Sequence, residues 1–503
     1  MSTTRAHPFT LNDATLFHEA SLLDGEWVPA KGGDKFDIED PGTGTNFATC
    51  PTNTVADVDA YIQSSYRAFT TYRITTGRTR AQALLKWHEL ISAAKNDIAT
   101  LVTYETGKPL AEAVGEIEYA LGFAWWFAGE AERIRGSVDL QPSVAGRRVF
   151  TVKQPLGVAV ALVPWNFPVA MVIRKVAAAL AAGCTMVVKP SPETPLSTLA
   201  LADLALRAGF PAGVLNVLTT DSVNTPAVSE ALCKHALVRK VTFTGSTPVG
   251  QLIARHCSEG LKKVTLELGG NCPFLVFDDG DLDSALAALM ILKWRTAGQA
   301  CTHANRVYVQ SGVYDKFLGM VVQATRERIV VGHGARQGTT MGSLTTGRGV
   351  EKLERHVADA RAKGGKVVLG GKRAEVPGAE GGYFFEPTII SGMTEAMLTS
   401  QEEIFGPLLG VYRFETEQQA VQMANATSMG LASYFFTCDV SRTWRLLEKL
   451  EAGMIGMNTG NSSSAESPFG GIKASGYGKE AGKDVAIEEY LISKTGTLTV
   501  AKL

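Results

Sequence analysis

The 503-residue chain has no two cysteines in CxxC spacing; its seven, Cys50, Cys184, Cys233, Cys257, Cys272, Cys301 and Cys438, are scattered. An odd, dispersed set in a large chain excludes a disulfide framework and reads as reduced thiols in a reducing compartment. The eight histidines are equally dispersed, so no metal site is expected. Basic runs are missing as well: 49 Lys and Arg stand against 50 Asp and Glu, a formal net charge of −1. Without a concentrated basic field, neither nucleic acid nor an anionic membrane is an expected partner. The N-terminal "MSTTRAHPFTLNDATLFHEA" lacks a long apolar segment, and its Arg5 is offset by Asp13 and Glu19. Neither a secretory signal nor a mitochondrial presequence is expected, which points to the cytoplasm. Repeats and low-complexity linkers are absent. So are the GxGxxG fingerprint and the Gly-Lys-Ser/Thr ending of a P-loop, which weighs against kinase and ATPase readings.

What remains is an ordinary globular composition, 45% hydrophobic and 20% charged, long enough for several domains or subdomains. Residues 79–133 carry apolar residues at three- and four-residue spacing and read mainly as helices. After them short apolar strands alternate with helices: "GVAVALVPW", "PVAMVIRKVAAALAAG", "CTMVVKP", "PLSTLALADLALRAG", "GVLNVLTT", "PAVSEALCKH", "KVTFTGS", "PVGQLIARHCSEG" and "KVTLELGG". Such alternation predicts a parallel sheet covered on both faces, a doubly wound α/β layer. Ligands in these sheets bind beyond the carboxyl ends of the strands, where Asn166, Lys189, Gly245, Ser246 and Glu267 fall. A second α/β region runs from about 268 to 457, and "IEEYLISKTGTLTV" ends the chain in a strand-like segment.

Four places carry polar chemistry. In "WRTAGQACTHANRVYVQ", Cys301 follows Gly-Gln-Ala and is either a small buried hydrophobe or a nucleophile presented on a turn. "FTGSTPVG" (243–250) is a glycine turn from strand to helix with Ser246 placed to cap the helix; exposed N–H groups there suit a phosphate, though such turns are also common punctuation. "VPWNFP" holds Asn166 between two prolines, as a helix cap or as an amide donor to an oxyanion. "LELGG" ends an apolar strand on Glu267, either a structural ion pair or a buried general base.

Together these motifs, from "LDGEWVPA" (23–30) through "PWNFP", "AAGCTMVVKP", "GFPAGVLNVL", "FTGSTPVG", "LELGG", "GQAC", "EEIFGP" and "MGLASYFFT" to "PFGGIKASGYGKE" (468–480), resemble the aldehyde dehydrogenase superfamily in the family's order. The resemblance implies that fold: a Rossmann-like cofactor domain over 15–133 and 154–267 with part of 471–483, an α/β catalytic domain over 268–470, and a small β oligomerisation arm from 134–153 and 484–503. It implies that Cys301 attacks an aldehyde carbon, that Asn166 and the Cys301 N–H hold the oxyanion of the thiohemiacetal, and that a nicotinamide takes the hydride. Glu267 then activates water against the thioester. Thiolate chemistry suits the first step, but a thiol with pKa near 8.5 needs help to ionise. A Cys301–His303 hydrolase dyad on an extended segment is the rival chemistry and is set aside.

For the cofactor, the family pattern maps onto Lys189, with Ser191 and Pro192 beyond it, for the adenosine ribose, Gly245 and Ser246 for the pyrophosphate, and Glu403 and Phe405 for the nicotinamide ribose. Trp165 and Leu268 border the same cleft. Three residues after the lysine, strict NAD users often carry a Glu that repels a 2′-phosphate; here Pro192 stands there, with Glu193 one place later. NADP is the favoured cofactor, with NAD the other. Thr296 replaces an Asn that many members carry five residues before the cysteine, and His303 stands where some semialdehyde enzymes have a second cysteine.

The substrate reading rests on Arg174, which interrupts an apolar helix, Arg295 and Ser463. Any one arginine is as well explained by snorkelling or an ion pair. As a set they resemble the carboxylate-binding residues of succinic semialdehyde dehydrogenases, which implies oxidation of succinic semialdehyde to succinate in 4-aminobutyrate degradation. Glutarate semialdehyde or a broad range of aliphatic aldehydes are the enzyme alternatives, and a non-catalytic relative is the alternative of another class. The arm, an unpaired strand edge unless a second subunit covers it, implies a homodimer or homotetramer.

Overall fold

A computed structural model describes residues 7–139 and 143–500. Parts of the expected arm (140–142 and 501–503) and of the N-terminal stretch (1–6) lie outside the described residues. Three helices, Gly77–Ala93, Lys95–Thr106 and Leu110–Ala131, occupy the region of three- and four-residue spacing. The strand–helix alternation then produces an eight-stranded sheet. Its centre is five parallel strands in the order Leu215–Val217, Thr185–Lys189, Val158–Leu162, Val238–Thr244 and Lys263–Glu267. Antiparallel strands close it at both ends: Ser21–Leu23 with Glu26–Val28 on one side, and Gly476–Tyr477 on the other.

The helix Pro168–Ala182 shows how local sequence sets this architecture. Proline opens it at the first turn, where a missing N–H costs nothing, and Gly183 ends it at φ +90°. Every one of its residues is buried, so it is a core helix between layers and not a surface helix with one apolar stripe. Two consecutive cations, Arg174 and Lys175, are buried with it.

A second sheet of seven strands is built from Cys272–Val276 to Met454–Met457, parallel apart from its edge strand Lys366–Leu369. The two sheets meet where the strand ending at Glu267 passes through Gly269 and Gly270 into the strand Cys272–Val276. A separate three-stranded layer orders Leu491–Thr499, Arg147–Pro155 and Ser137–Asp139, all antiparallel.

Candidate active site

Cys301 follows a loop forced into an unusual shape. Thr296 and Ala297 have φ of +51° and +48°, and Gly298 has φ +73°. Left-handed backbone is costly for a β-branched residue, so something must hold it. The Thr296 N–H donates to Glu112 Oε2 at 2.6 Å, and its carbonyl accepts from Gln299 Nε2 at 3.0 Å. Gln299 Oε1 in turn accepts from the Thr345 N–H at 3.0 Å. Only glycine fits at 298, where a Cβ would lie 2.1 Å from the Gly406 carbonyl oxygen. The segment after the cysteine is a turn and not the extended run expected. His303 is fully buried and neither ring nitrogen has a hydrogen-bond partner, so it makes no dyad with Cys301.

Asn166 lies in the turn before the core helix and is 5% exposed. Its Nδ2 donates to the Gln299 carbonyl at 2.9 Å, which ties it to the cysteine loop and leaves a second N–H for another acceptor. The turn itself is braced by a buried ion pair. Lys108 Nζ donates to the Asn166 carbonyl at 2.8 Å and to Glu116 Oε2 at 2.5 Å. The other Glu116 oxygen accepts the N–H groups of Val169 and Ala170 at 2.9 and 3.1 Å, a carboxylate on a helix N-terminus.

Glu267 ends its strand, 1% exposed, with neither carboxylate oxygen bonded to any group. Burial first, and then the charge of Glu480, push its pKa well above the usual range, while Arg174, Lys175 and Lys479 pull the other way. Leaving a buried carboxylate unpaired is expensive, which favours the neutral acid. Glu480 is its opposite. Burial opposes its ionisation too, yet Lys175 and Arg174 bring it down to about 2. Arg174 Nε and Nη2 both donate to Glu480 Oε2, at 3.0 and 2.7 Å, and Lys175 Nζ pairs with Oε1. The Cys301 thiol is pushed up by burial and by the charges of Glu403 and Glu267, against Arg174.

Cys301, Arg174, Arg295 and Ser463 line one cavity of about 790 Å³, together with Glu112, Tyr119, Phe167, Met171 and Phe469. Asn166 and Glu267 are not on its wall. Arg174 is 1% exposed, its guanidinium 4.1 Å from the Phe469 ring centroid, and its Nη1 has no hydrogen-bond partner. Arg295 lies 5.6 Å from the Phe167 ring centroid, exposed, and makes no ion pair among the described residues. Ser463 bonds the Tyr119 hydroxyl.

Most of the expected cofactor residues fall at or just after the carboxyl ends of the first sheet's parallel strands, with Glu403 bonded to Gly270 and Phe405 against Trp165. Lys189 ends its strand and is 4% exposed; burial brings its pKa down to about 8, with Glu193 opposing, and Nζ donates only to the Pro190 carbonyl, at 2.8 Å. Ser191 donates to the Glu193 carboxylate, which brings that acid back beside Lys189 across Pro192. Ser246 stands at the N-cap of Thr247–Ser258 but makes no capping bond, contrary to expectation. Glu403 Oε1 accepts from the Gly270 N–H at 3.0 Å, and burial raises its pKa to about 7. Leu268 is buried beside Gly250, and Trp165 meets Phe405 edge-on at 5.5 Å, with Phe405 at φ +55°. A dinucleotide fits this set: Lys189 keeps spare N–H groups, Ser246 a free hydroxyl, and Glu403 a second oxygen with no protein donor.

No motif singled out Glu480, Lys175, Glu112 or the Lys108–Glu116 pair for a role of its own. A signal existed for the first two: consecutive cations inside an all-apolar helix require a buried acid. Nothing local marks Glu112, which acts through a loop 184 residues away.

The sequence profile of the aldehyde dehydrogenase family matches residues 27–495. The chain is 47% identical over 481 residues to the NADP(+) succinate-semialdehyde dehydrogenase GabD of Escherichia coli, covering 96% of this chain and 98% of the relative. It is 47% identical over 483 residues to a glutarate-semialdehyde dehydrogenase of Pseudomonas aeruginosa, again covering 96% and 98%. Its fold is similar to the crystal structure of an E. coli NADP-dependent enzyme, with a TM-score of 0.95 at 46% identity, covering 98% of this chain and all of the other. The chain belongs to the aldehyde dehydrogenase family.

Proposed function

We propose that the protein oxidises succinic semialdehyde to succinate with NADP or NAD. The observation that carries this reading is Arg174: a buried guanidinium on the wall of the Cys301 cavity whose Nη1 has no partner in the protein. Such a group is costly unless something bonds it, and a substrate carboxylate supplies a charge-assisted acceptor. Arg295, on the same wall and free of ion pairs, offers a second cation, and the Ser463 hydroxyl a neutral donor.

In this reading Cys301 Sγ attacks the aldehyde carbon, and the free N–H of Asn166 and the Cys301 N–H meet the resulting oxyanion. Because burial and nearby carboxylates favour the protonated thiol, the attack requires its proton to leave to solvent. When bound, the oxidised cofactor would supply the hydride acceptor. The thioester left on Cys301 is then hydrolysed by water deprotonated at Glu267, which frees the acid and restores the thiol. Lys189, Ser191, Pro192, Gly245, Ser246, Leu268, Trp165, Glu403 and Phe405 hold the cofactor. NADP is the preferred form, supported by the absence of an acid at position 192 and by the NADP(+) label of the E. coli relative.

Glutarate semialdehyde is the second reading, favoured by a relative of equal identity and by a cavity of about 790 Å³, roomy for one more methylene. We assign a homodimer or homotetramer, since Leu491–Thr499 is a nine-residue edge strand paired on one side only among the described residues. A cytoplasmic location is supported by seven unpaired thiols. The functional reading is tested by the absorbance of reduced nicotinamide with a panel of aldehydes and both cofactors. Turnover is expected to be highest with succinic semialdehyde; folded, reduced protein that reduces neither cofactor with any aldehyde would overturn it.

A further inference from the structure

The grip on Glu480 uses two of the three Arg174 nitrogens, Nε and Nη2, and both go to one oxygen, Oε2. The third, Nη1, is buried without a hydrogen-bond partner, in a residue that lines the cavity. Glu480 Oε1 belongs to Lys175, whose Nζ also reaches Thr244 Oγ1 at 2.7 Å, one strand over from Glu267. Thr242 donates to the same Glu480 oxygen at 2.7 Å. The cluster therefore holds two cations against one ionised carboxylate, all nine-tenths or more buried, and it sits beside a fourth buried group, Glu267, that nothing bonds. One positive charge is left over. It is balanced either by ionising Glu267 or by bringing in an anion from the cavity.

We propose that Arg174 is a positioning residue for the general base as well as a holder of substrate: one edge of its guanidinium fixes Glu480, the other takes the substrate's distal carboxylate, and its charge sets the balance in which Glu267 ionises. The second half rests on the semialdehyde reading above; the first does not. The charged and titratable groups facing Glu267 are Glu480, Arg174, Lys175, Lys479 and the Cys301 thiol. Lys479 Nζ is held by the Gly470 carbonyl at 2.9 Å. Of the cations, Arg174 alone also lines the cavity.

The consequence concerns substrates that carry no carboxylate. A residue that only clamps a substrate anion has no influence on the pH dependence of butanal oxidation. A residue that balances the base does. Replacing Arg174 by Gln removes a positive charge from around Glu267, so the acid limb of kcat with butanal should move toward alkaline pH by about one unit. Lys175 keeps Glu480 paired in that variant, so the core retains a neutral ion pair. Arg174→Lys returns the charge without the forked grip and should bring the limb back most of the way. A second readout avoids turnover: in Cys301→Ala protein, the infrared band of the protonated carboxyl that Glu267→Gln abolishes should persist to higher pH when Arg174 is Gln. A butanal limb and an infrared titration that both stay where they are in wild type would overturn the coupling. Preference for succinic semialdehyde over butanal reports the other half separately. If the limb shifts while that preference is unchanged in Arg174→Gln, the substrate reading fails and the coupling stands.

Discussion

The cleft proposed for the cofactor and the Cys301 cavity proposed for the substrate are built in different ways. The cleft is made from strand ends: Lys189 and Glu267 are the last residues of parallel strands, and Gly245 follows directly on a third. Its polar groups are partly engaged, as Glu403 is with the Gly270 N–H and Glu193 with Ser191, while Lys189 and Ser246 keep bonding capacity. The cavity takes its walls from a core helix, a strained loop and chain segments hundreds of residues apart, and it keeps buried polar atoms unbonded, Arg174 Nη1 among them. A cavity with buried unsatisfied polar groups stores a desolvation cost that the right substrate relieves.

The largest expected effect separates the two regions outright. Cys301→Ala should abolish aldehyde oxidation while cofactor binding, followed by tryptophan quenching, stays within about threefold, because Cys301 belongs to the cavity wall; lost cofactor affinity would show that the regions are not separable. Glu267→Gln comes next. Rapid mixing should show one equivalent of reduced cofactor formed in a burst, followed by a stall at the thioester, and steady turnover without a burst would assign the base elsewhere. In wild type the same residue gives activity an acid limb: its raised pKa means that base function is lost as pH falls through that value, well above the range of an ordinary glutamate. A smaller change is expected in the cleft. Removing the charge of Glu193 with Gln should raise the NADP to NAD ratio of kcat/KM by roughly tenfold, since one carboxylate near a 2′-phosphate costs on the order of 1 kcal/mol. The smallest concerns the loop. Thr296→Asn should stabilise the protein by on the order of 1 kcal/mol in thermal unfolding, because Asn tolerates the left-handed backbone that a β-branched residue resists.

The contrast also explains what could be read from the sequence. The parallel sheet was visible because each strand and helix is a contiguous run with its own period and its own proline or glycine punctuation, as in Pro168–Ala182. Residues at strand ends inherit their place from that pattern. Cavity residues do not: Glu112, Arg174, Arg295 and Ser463 converge only through tertiary packing, and Arg174 alone is equally consistent with an ion pair. The structure shows the ion pair, with Nε and Nη2 on Glu480 and Nη1 left buried without a partner. The capping role expected of Ser246 failed for a related reason, since position at a helix start does not fix where a side chain points. The Cys301 turn replaced an expected extended segment because Thr296 to Gly298 take left-handed backbone that no periodicity reports.

The central claim is that the cavity is shaped for an aldehyde with a distal carboxylate. The direct measurement is the ratio of kcat/KM for succinic semialdehyde to that for butanal, in wild type and in Arg174→Ala, Arg295→Ala and Ser463→Ala. Losing a charge-assisted contact should lower the ratio roughly 10- to 150-fold for each arginine, equivalent to about 1.5–3 kcal/mol, and losing the neutral serine donor should lower it less, by about 1 kcal/mol. A ratio unchanged in both arginine variants would contradict the account and leave the protein an aldehyde dehydrogenase whose substrate is held by other groups.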